Sequence, residues 1–138
     1  MPVETEVQPP EGEALASHQM PHSNEAEQAV LGGLLLAPDR FDLVDGRLDE
    51  DDFFTRAYGA VFGAMCELNK RGQPFDLLML REELERRGQF DLAGGEAGLA
   101  ALTDAVPTGA HVEYYANLVR DRAILRRLIV ASTGIVEK

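Results

Sequence analysis

Several short stretches carry residue types that do chemistry in other proteins. His18 and His22 stand four apart with Glu25 close behind, a set that could in principle ligate zinc. They flank the junction of a proline-bearing tail and a helix, and such a tail supplies neither fixed geometry nor a supporting second shell. Asp49, Glu50, Asp51 and Asp52 place four carboxylates in a row, a composition that magnesium and calcium sites use, yet the glycine and the distal glutamate of an EF-hand loop are missing. They read instead as helix-start carboxylates next to buried Phe53 and Phe54. His111-x-Glu113 has the H-x-E spacing of zinc deaminases, but the single cysteine leaves no P-C-x-x-C to complete it. That cysteine, Cys66, lies among Val61, Phe62, Met65 and Leu68 with no His or Asn near it in sequence, which predicts a core thiol. No lysine follows a glycine, so there is no G-x-x-x-x-G-K-[ST] phosphate loop. With no nucleophile, base and orienting acid to assemble, the chain by itself is expected to catalyse nothing and to hold no metal or cofactor.

Arg120, Arg122, Arg126 and Arg127 form the one basic cluster, and they read as a solvated helix face partnering Asp121 and nearby acids. The formal charge of −11 argues against a grip on a nucleic-acid backbone, because that affinity comes largely from Lys and Arg displacing counterions. Part of the excess is local. Glu4, Glu6, Glu11 and Glu13 sit among prolines in a stretch without periodicity, so residues 1–21 read as a disordered acidic tail and 22–138 as the folded domain. A domain of this size buries about two-thirds of its unfolded surface without disulfide or metal. The lone cysteine fits a reducing cytoplasm, and no run of about eighteen apolar residues or signal peptide is present, which predicts a protein that stays inside and off the membrane.

The elements that must position these residues are helical. Ser23 to Pro38 opens on possible caps Ser23 and Asn24, carries Glu25 and Glu27 in its first turn, and becomes apolar nearly all round. Gly32 and Gly33 inside it each cost about 1 kcal/mol relative to Ala, which predicts that another backbone passes close by. A short helix is expected from Pro38 to Leu48 with Asp39 as cap, Phe41 and Val44 inward and Gly46 as terminator. Thr55 to Gly72 carries the stripe Tyr58, Val61, Phe62, Met65 and Leu68. Asp76 starts a helix burying Leu77, Leu80 and Leu84 and stopping at Gly88, and another contains Leu99, Leu102 and Val106 before Pro107. A last helix begins at Thr108 or Gly109 and still reads helical at Lys138. No segment alternates with period two, so the fold is all-α, a bundle of about six helices.

Pro21-His22-Ser23 followed by Glu25-Ala26-Glu27-Gln28-Ala29-Val30-Leu31-Gly32-Gly33-Leu34 resembles the opening of the N-terminal domain of bacterial replicative DNA helicases, the DnaB-type family. The resemblance continues through Asp52-Phe53-Phe54, Val61-Phe62, Gly72-x-Pro74-Phe75-Asp76, Leu84 with Gly88, Gly94-Gly95, Leu102, Pro107-Thr108, Tyr115-Ala116 and Leu118-Val119-Arg120. Departures at Tyr58, Gly98 and His111 bear on local packing. The resemblance implies a parent enzyme that is a hexameric ring, unwinding DNA at the replication fork with ATP and Mg. Its ATPase and most of its DNA contacts would lie in a RecA-like C-terminal domain that this chain lacks. The N-terminal domain would be the collar that pairs subunits into a trimer of dimers and receives primase, in a cytoplasmic, nucleoid-associated setting. A different class of function, a stand-alone helical interaction adaptor, would show as a reading frame with no phosphate-loop motif downstream.

The last helix is where association is expected. It would reach roughly 40 Å against a globule about 30 Å across, so it must project. Tyr115, Leu118 and Val119 can pack on the bundle, while Leu125, Leu128, Ile129, Ser132, Ile135 and Val136 form an apolar face that needs a partner. The resemblance makes this the first arm of a helical hairpin, with the second arm beyond the present sequence. Either the face self-associates or the helix frays after about Ala131, where Ser132, Thr133 and Gly134 have low helix propensity.

Overall fold

The computed structural model describes residues 20–73 and 76–137, with side chains described as far as 133. The tail reading for residues 1–21 lies almost wholly outside the described residues, as do His18, Pro74 and Phe75. Five α-helices and two short 3-10 turns are found among the described residues, and no strand.

Helix α1 (Asn24–Leu36) is the central element. Ser23, in extended backbone, caps it by accepting from the Ala26 amide at 3.1 Å, and Pro38 follows its last turn. Residues from every side of the helix are buried, including Ala26, Val30, Leu31 and Leu34, whereas Leu36, expected among the apolar surround, is exposed. Both glycines sit at crossings. A Cβ on Gly32 would enter the carbonyl oxygen of Leu102, and one on Gly33 would lie 2.5 Å from a Val112 methyl and 3.4 Å from the Gly109 Cα.

The chain then departs from the expected short helix. Pro38–Leu43 is a six-residue 3-10 turn with no side-chain cap, so Asp39 does not serve as one. Phe41 and Val44 still turn inward, and the Phe41, Phe62 and Phe53 rings pack in sequence at 5.8 and 5.1 Å. Glu50–Asp52 forms the second 3-10 turn, closed by Asp52, whose carboxylate accepts from the Asp49 amide at 2.9 Å.

Helix α2 (Arg56–Lys70) buries Val61, Phe62, Met65 and Leu68, with Tyr58 only partly covered and hydrogen-bonded to Gln28. Helix α3 (Leu77–Arg86) is capped by Asp76, which accepts from the Met79 amide at 2.9 Å. Both end alike: Gly72 (φ 69°) and Gly88 (φ 70°) take left-handed backbone so that Gln73 can donate to Leu68 and Gln89 to Leu84. Leu80 and Leu84 are buried as expected, but Leu77 lies on the exposed arc of α3. Glu83 is buried instead, held between Arg71 and Arg86, and the Arg86 guanidinium keeps its carboxyl below the usual range.

Helix α4 (Gly95–Thr103) buries Leu99 and Leu102 and stops short of Val106. Helix α5 (Val112–Glu137) starts later than Thr108 or Gly109. The reason is the crossing with α1: a Cβ on Gly109 would lie 2.6 Å from the Gly33 carbonyl, so the chain passes α1 as bare backbone before it winds into helix.

Cys66 is half-buried against the core, and burial, with Asp45, Asp49 and Glu50 adding to it, pushes its thiol up to about 11. Alkylation at pH 8 is therefore expected to be at least about tenfold slower in the native chain than in denaturant, because the thiolate is the attacking species. Equal rates measured by mass spectrometry would contradict this environment.

Candidate interaction surface on the last helix

Helix α5 has 26 residues and runs about 39 Å. Its first half is fixed on the bundle by Val112, Ala116, Val119 and Ala123, buried at i, i+4, i+7 and i+11 along the face that meets α1. The next position on that face is Arg126. It is not part of a solvated face, as the arginine cluster suggested, but nearly fully buried. Its guanidinium donates to the carbonyl oxygens of Pro21 and Asp52, both at 2.7 Å, and lies 5.4 Å from the centre of the Phe54 ring. Arg127 pairs with the Asp52 carboxylate, and Arg120 donates to the Arg47 carbonyl at 3.2 Å.

Around Arg126 the structure gathers two of the residues singled out for chemistry, His22 and Asp52, together with Glu27, and gives them structural partners. Glu27 is buried and accepts from the amides of Phe54 at 2.9 Å and Thr55 at 3.2 Å. Burial pushes its carboxyl above the usual range, while those two amides and then Arg126 pull it back. His22 stacks on Phe54 at 4.0 Å, and its Nδ1 lies 2.9 Å from the Met20 carbonyl. Phe54, expected to be buried with Phe53, instead stays exposed beneath this imidazole. Asp52 is used by Asp49 and Arg127, and Glu113 pairs with Arg47 at 2.7 Å. Among the described residues no three His, Cys, Asp or Glu side chains are grouped to hold a metal. The cluster is a clamp. It ties the start of α1, the Asp49 to Phe54 segment and the middle of α5 together.

Beyond the clamp α5 is uncovered. Leu125, Leu128 and Ile129 are 46, 62 and 39% exposed, and Ser132 is exposed beside them. At 3.6 residues per turn these four lie on the side of α5 opposite Ala123, Arg126 and Val130, so they point away from the bundle. Ile135 and Val136 lie on the same helix, but their side chains are outside those described. The helix continues past Ser132, through Thr133, whose hydroxyl donates to the Ile129 carbonyl at 3.1 Å, to Glu137. Three exposed large hydrophobic residues of α5 escaped the sequence reading, Tyr114, Ile124 and Val130. Val130 closes a groove of about 450 Å³ with Met20, Phe53, Phe54 and Ala123. It was legible as the next apolar position after Ala123 and Arg126 on the inner face.

An all-helical domain with a clamped, projecting last helix matches a known class. A family model described as the DnaB-like helicase N terminal domain matches residues 19–121. The chain belongs to the family of DnaB-like helicase N-terminal domains. It is 43% identical over 117 residues to the replicative DNA helicase DnaB of Geobacillus stearothermophilus, covering 85% of this chain and 26% of that protein. With the replicative DNA helicase DnaB of Mycobacterium leprae it shares 42% over 119 residues, covering 86% of this chain and 20% of the relative. The chain thus spans between a fifth and about a quarter of the length of these curated relatives. Among solved structures, the N-terminal domain of DnaB helicase from Mycobacterium tuberculosis superposes with a TM-score of 0.81 at 42% identity, covering 85% of this chain and 83% of that one. The N-terminal domain of DnaB helicase from Helicobacter pylori, described together with its interactions with primase, gives 0.72 at 26% identity, covering 82% and 88%. The family match ends at residue 121, ahead of the exposed face.

Proposed function

We propose that this chain is the assembly and docking domain of a replicative DNA helicase. It pairs with a second copy through the exposed face of α5, contributes to the collar of a hexameric ring, and receives primase. Unwinding of DNA at the replication fork, with the ATP and Mg it uses, belongs to a RecA-like domain elsewhere in the parent protein, in the cytoplasm at the nucleoid. Family membership supports the helicase assignment, and the H. pylori relative supports a primase partner. The observation that carries the assembly role is the face Leu125, Leu128, Ile129, held outward on a helix whose inner face is locked by Arg126. The net charge of −11 is consistent with DNA being held chiefly by another part of the protein. No helix among the described residues is long and apolar enough to cross a membrane.

Sedimentation across concentrations tests the face. The wild-type chain is expected to self-associate, and Leu125→Asp with Leu128→Asp to weaken association by about tenfold or more, since each buried Leu contributes about 1.5–3 kcal/mol. Both side chains are exposed in the single chain, so the double variant should keep the melting temperature that the wild-type chain shows at concentrations too low for association. Equal association of the two proteins would move the surface elsewhere.

A further inference from the structure

A second uncovered apolar surface lies away from α5. Helices α3 and α4 are joined across their rim by the Arg81–Glu96 ion pair, and between them runs a groove of about 580 Å³. Leu77, Leu78, Ala97 and Ala100 line it, and Leu78 is 63% exposed. Helix α3 packs on α2 and α4, and α4 on α1 and α3, whereas α5 packs on α1 and the two 3-10 turns. The groove is therefore built on elements other than the outward face of α5.

Its rim is acidic. Asp76 stands at the start of α3, Glu85 near its end, Glu96 on α4 and Asp104 just past it, all exposed. Arg81, the cation on this rim, is already engaged by Glu85 and Glu96 and lies over the Phe90 ring. We propose that the α3–α4 groove is a docking site for a cationic amphipathic helix of a partner protein. Helices of ten and nine residues give walls about 15 Å long, enough for roughly three turns of a partner helix seated by apolar side chains at i, i+3 or i+4, and i+7. Lys or Arg flanking those anchors meet Asp104 directly and share Glu85 and Glu96 with Arg81, for a net negative charge on the two walls. The same carboxylates repel an acidic helix and an anionic lipid surface alike. This inference does not depend on the helicase assignment.

The test uses the full 138-residue chain and a fluorescein-labelled peptide of leucine and lysine with leucines at helical spacing, beside a counterpart with glutamate for lysine. By anisotropy the lysine peptide is expected to bind, and the glutamate peptide to bind at least tenfold more weakly. Leu78→Ser, which leaves the charge unchanged, is expected to weaken the lysine peptide about tenfold. Glu85→Gln with Asp104→Asn should weaken it too and flatten its salt dependence. Leu125→Asp with Leu128→Asp should leave it unchanged. If Leu78→Ser melts lower than wild type, Ala97→Gln is held to the same expectation. Equal binding of both peptides, a loss only in the α5 variant, or no loss at Leu78 and Ala97 overturns the proposal. So does a drop in self-association on Leu78→Ser, which would make the groove a contact between copies.

Discussion

Gly32→Ala lowers the stability of the domain by about 1–3 kcal/mol, although alanine is the better helix former by about 1 kcal/mol. The added methyl meets the Leu102 carbonyl oxygen, which belongs to the last turn of α4 and cannot rotate out of the way as a side chain can. Relief requires α4 to back away from α1, opening the packing around Leu99 and Leu102. Gly33→Ala should cost less, because the atom it meets first is a Val112 methyl. A thermal melt puts the first variant about 5–15 °C below wild type, with the second between them. If Gly32→Ala melts at or above wild type, α1 and α4 do not cross in close backbone contact at Gly32.

That two glycines mark a crossing could be read from their position inside a helix, but what crosses them could not. The same division runs through the molecule. Ser23, Asp76, Gly72 and Gly88 announce helix ends because caps and left-handed stops act over three to five residues. The stripe Val61, Phe62, Met65, Leu68 announces its core face for the same reason. Leu77 misled because it begins a run of apolar residues, and only the orientation of α3 against α2 puts Leu80 and Leu84 inside and leaves Leu77 outside. The expected start of α5 was early because helix propensity at residues 108–111 says nothing about the backbone of α1 passing there.

The outward face of α5 was legible as a pattern. Its exposure follows from the inner face of the same helix, where the sequence was misread. Glu27 looks like an ordinary first-turn carboxylate, and the amides it serves lie 27 and 28 residues downstream. Arg126 looks like one of four surface arginines, and its carbonyl partners are 74 and 105 residues away. One signal was present. Val112, Ala116, Val119 and Ala123 keep helical spacing, and the next position on that stripe is Arg126, which puts it inside the fold.

Arg126→Met should therefore destabilise the domain by about 3 kcal/mol at neutral pH, while Arg127→Gln, whose guanidinium is mostly in solvent, costs under about 1 kcal/mol. Methionine keeps much of the apolar bulk beside Phe54 but leaves the Pro21 and Asp52 carbonyls without their donor. It also removes the positive charge that offsets the burial of Glu27. The second loss has a pH signature. A carboxyl whose pKa is raised in the folded state holds its proton more tightly there than in the unfolded chain, so its contribution is most favourable below the unfolded value and is lost as pH rises through the folded one. Without Arg126 the Glu27 pKa climbs further, and the deficit at pH 7 exceeds that at pH 5. Denaturant melts of wild type and variant at the two pH values measure this. A deficit that is the same size at both, or larger at pH 5, would mean that Glu27 and Arg126 are not electrostatically coupled. The arginine would then hold α5 through its carbonyl partners alone.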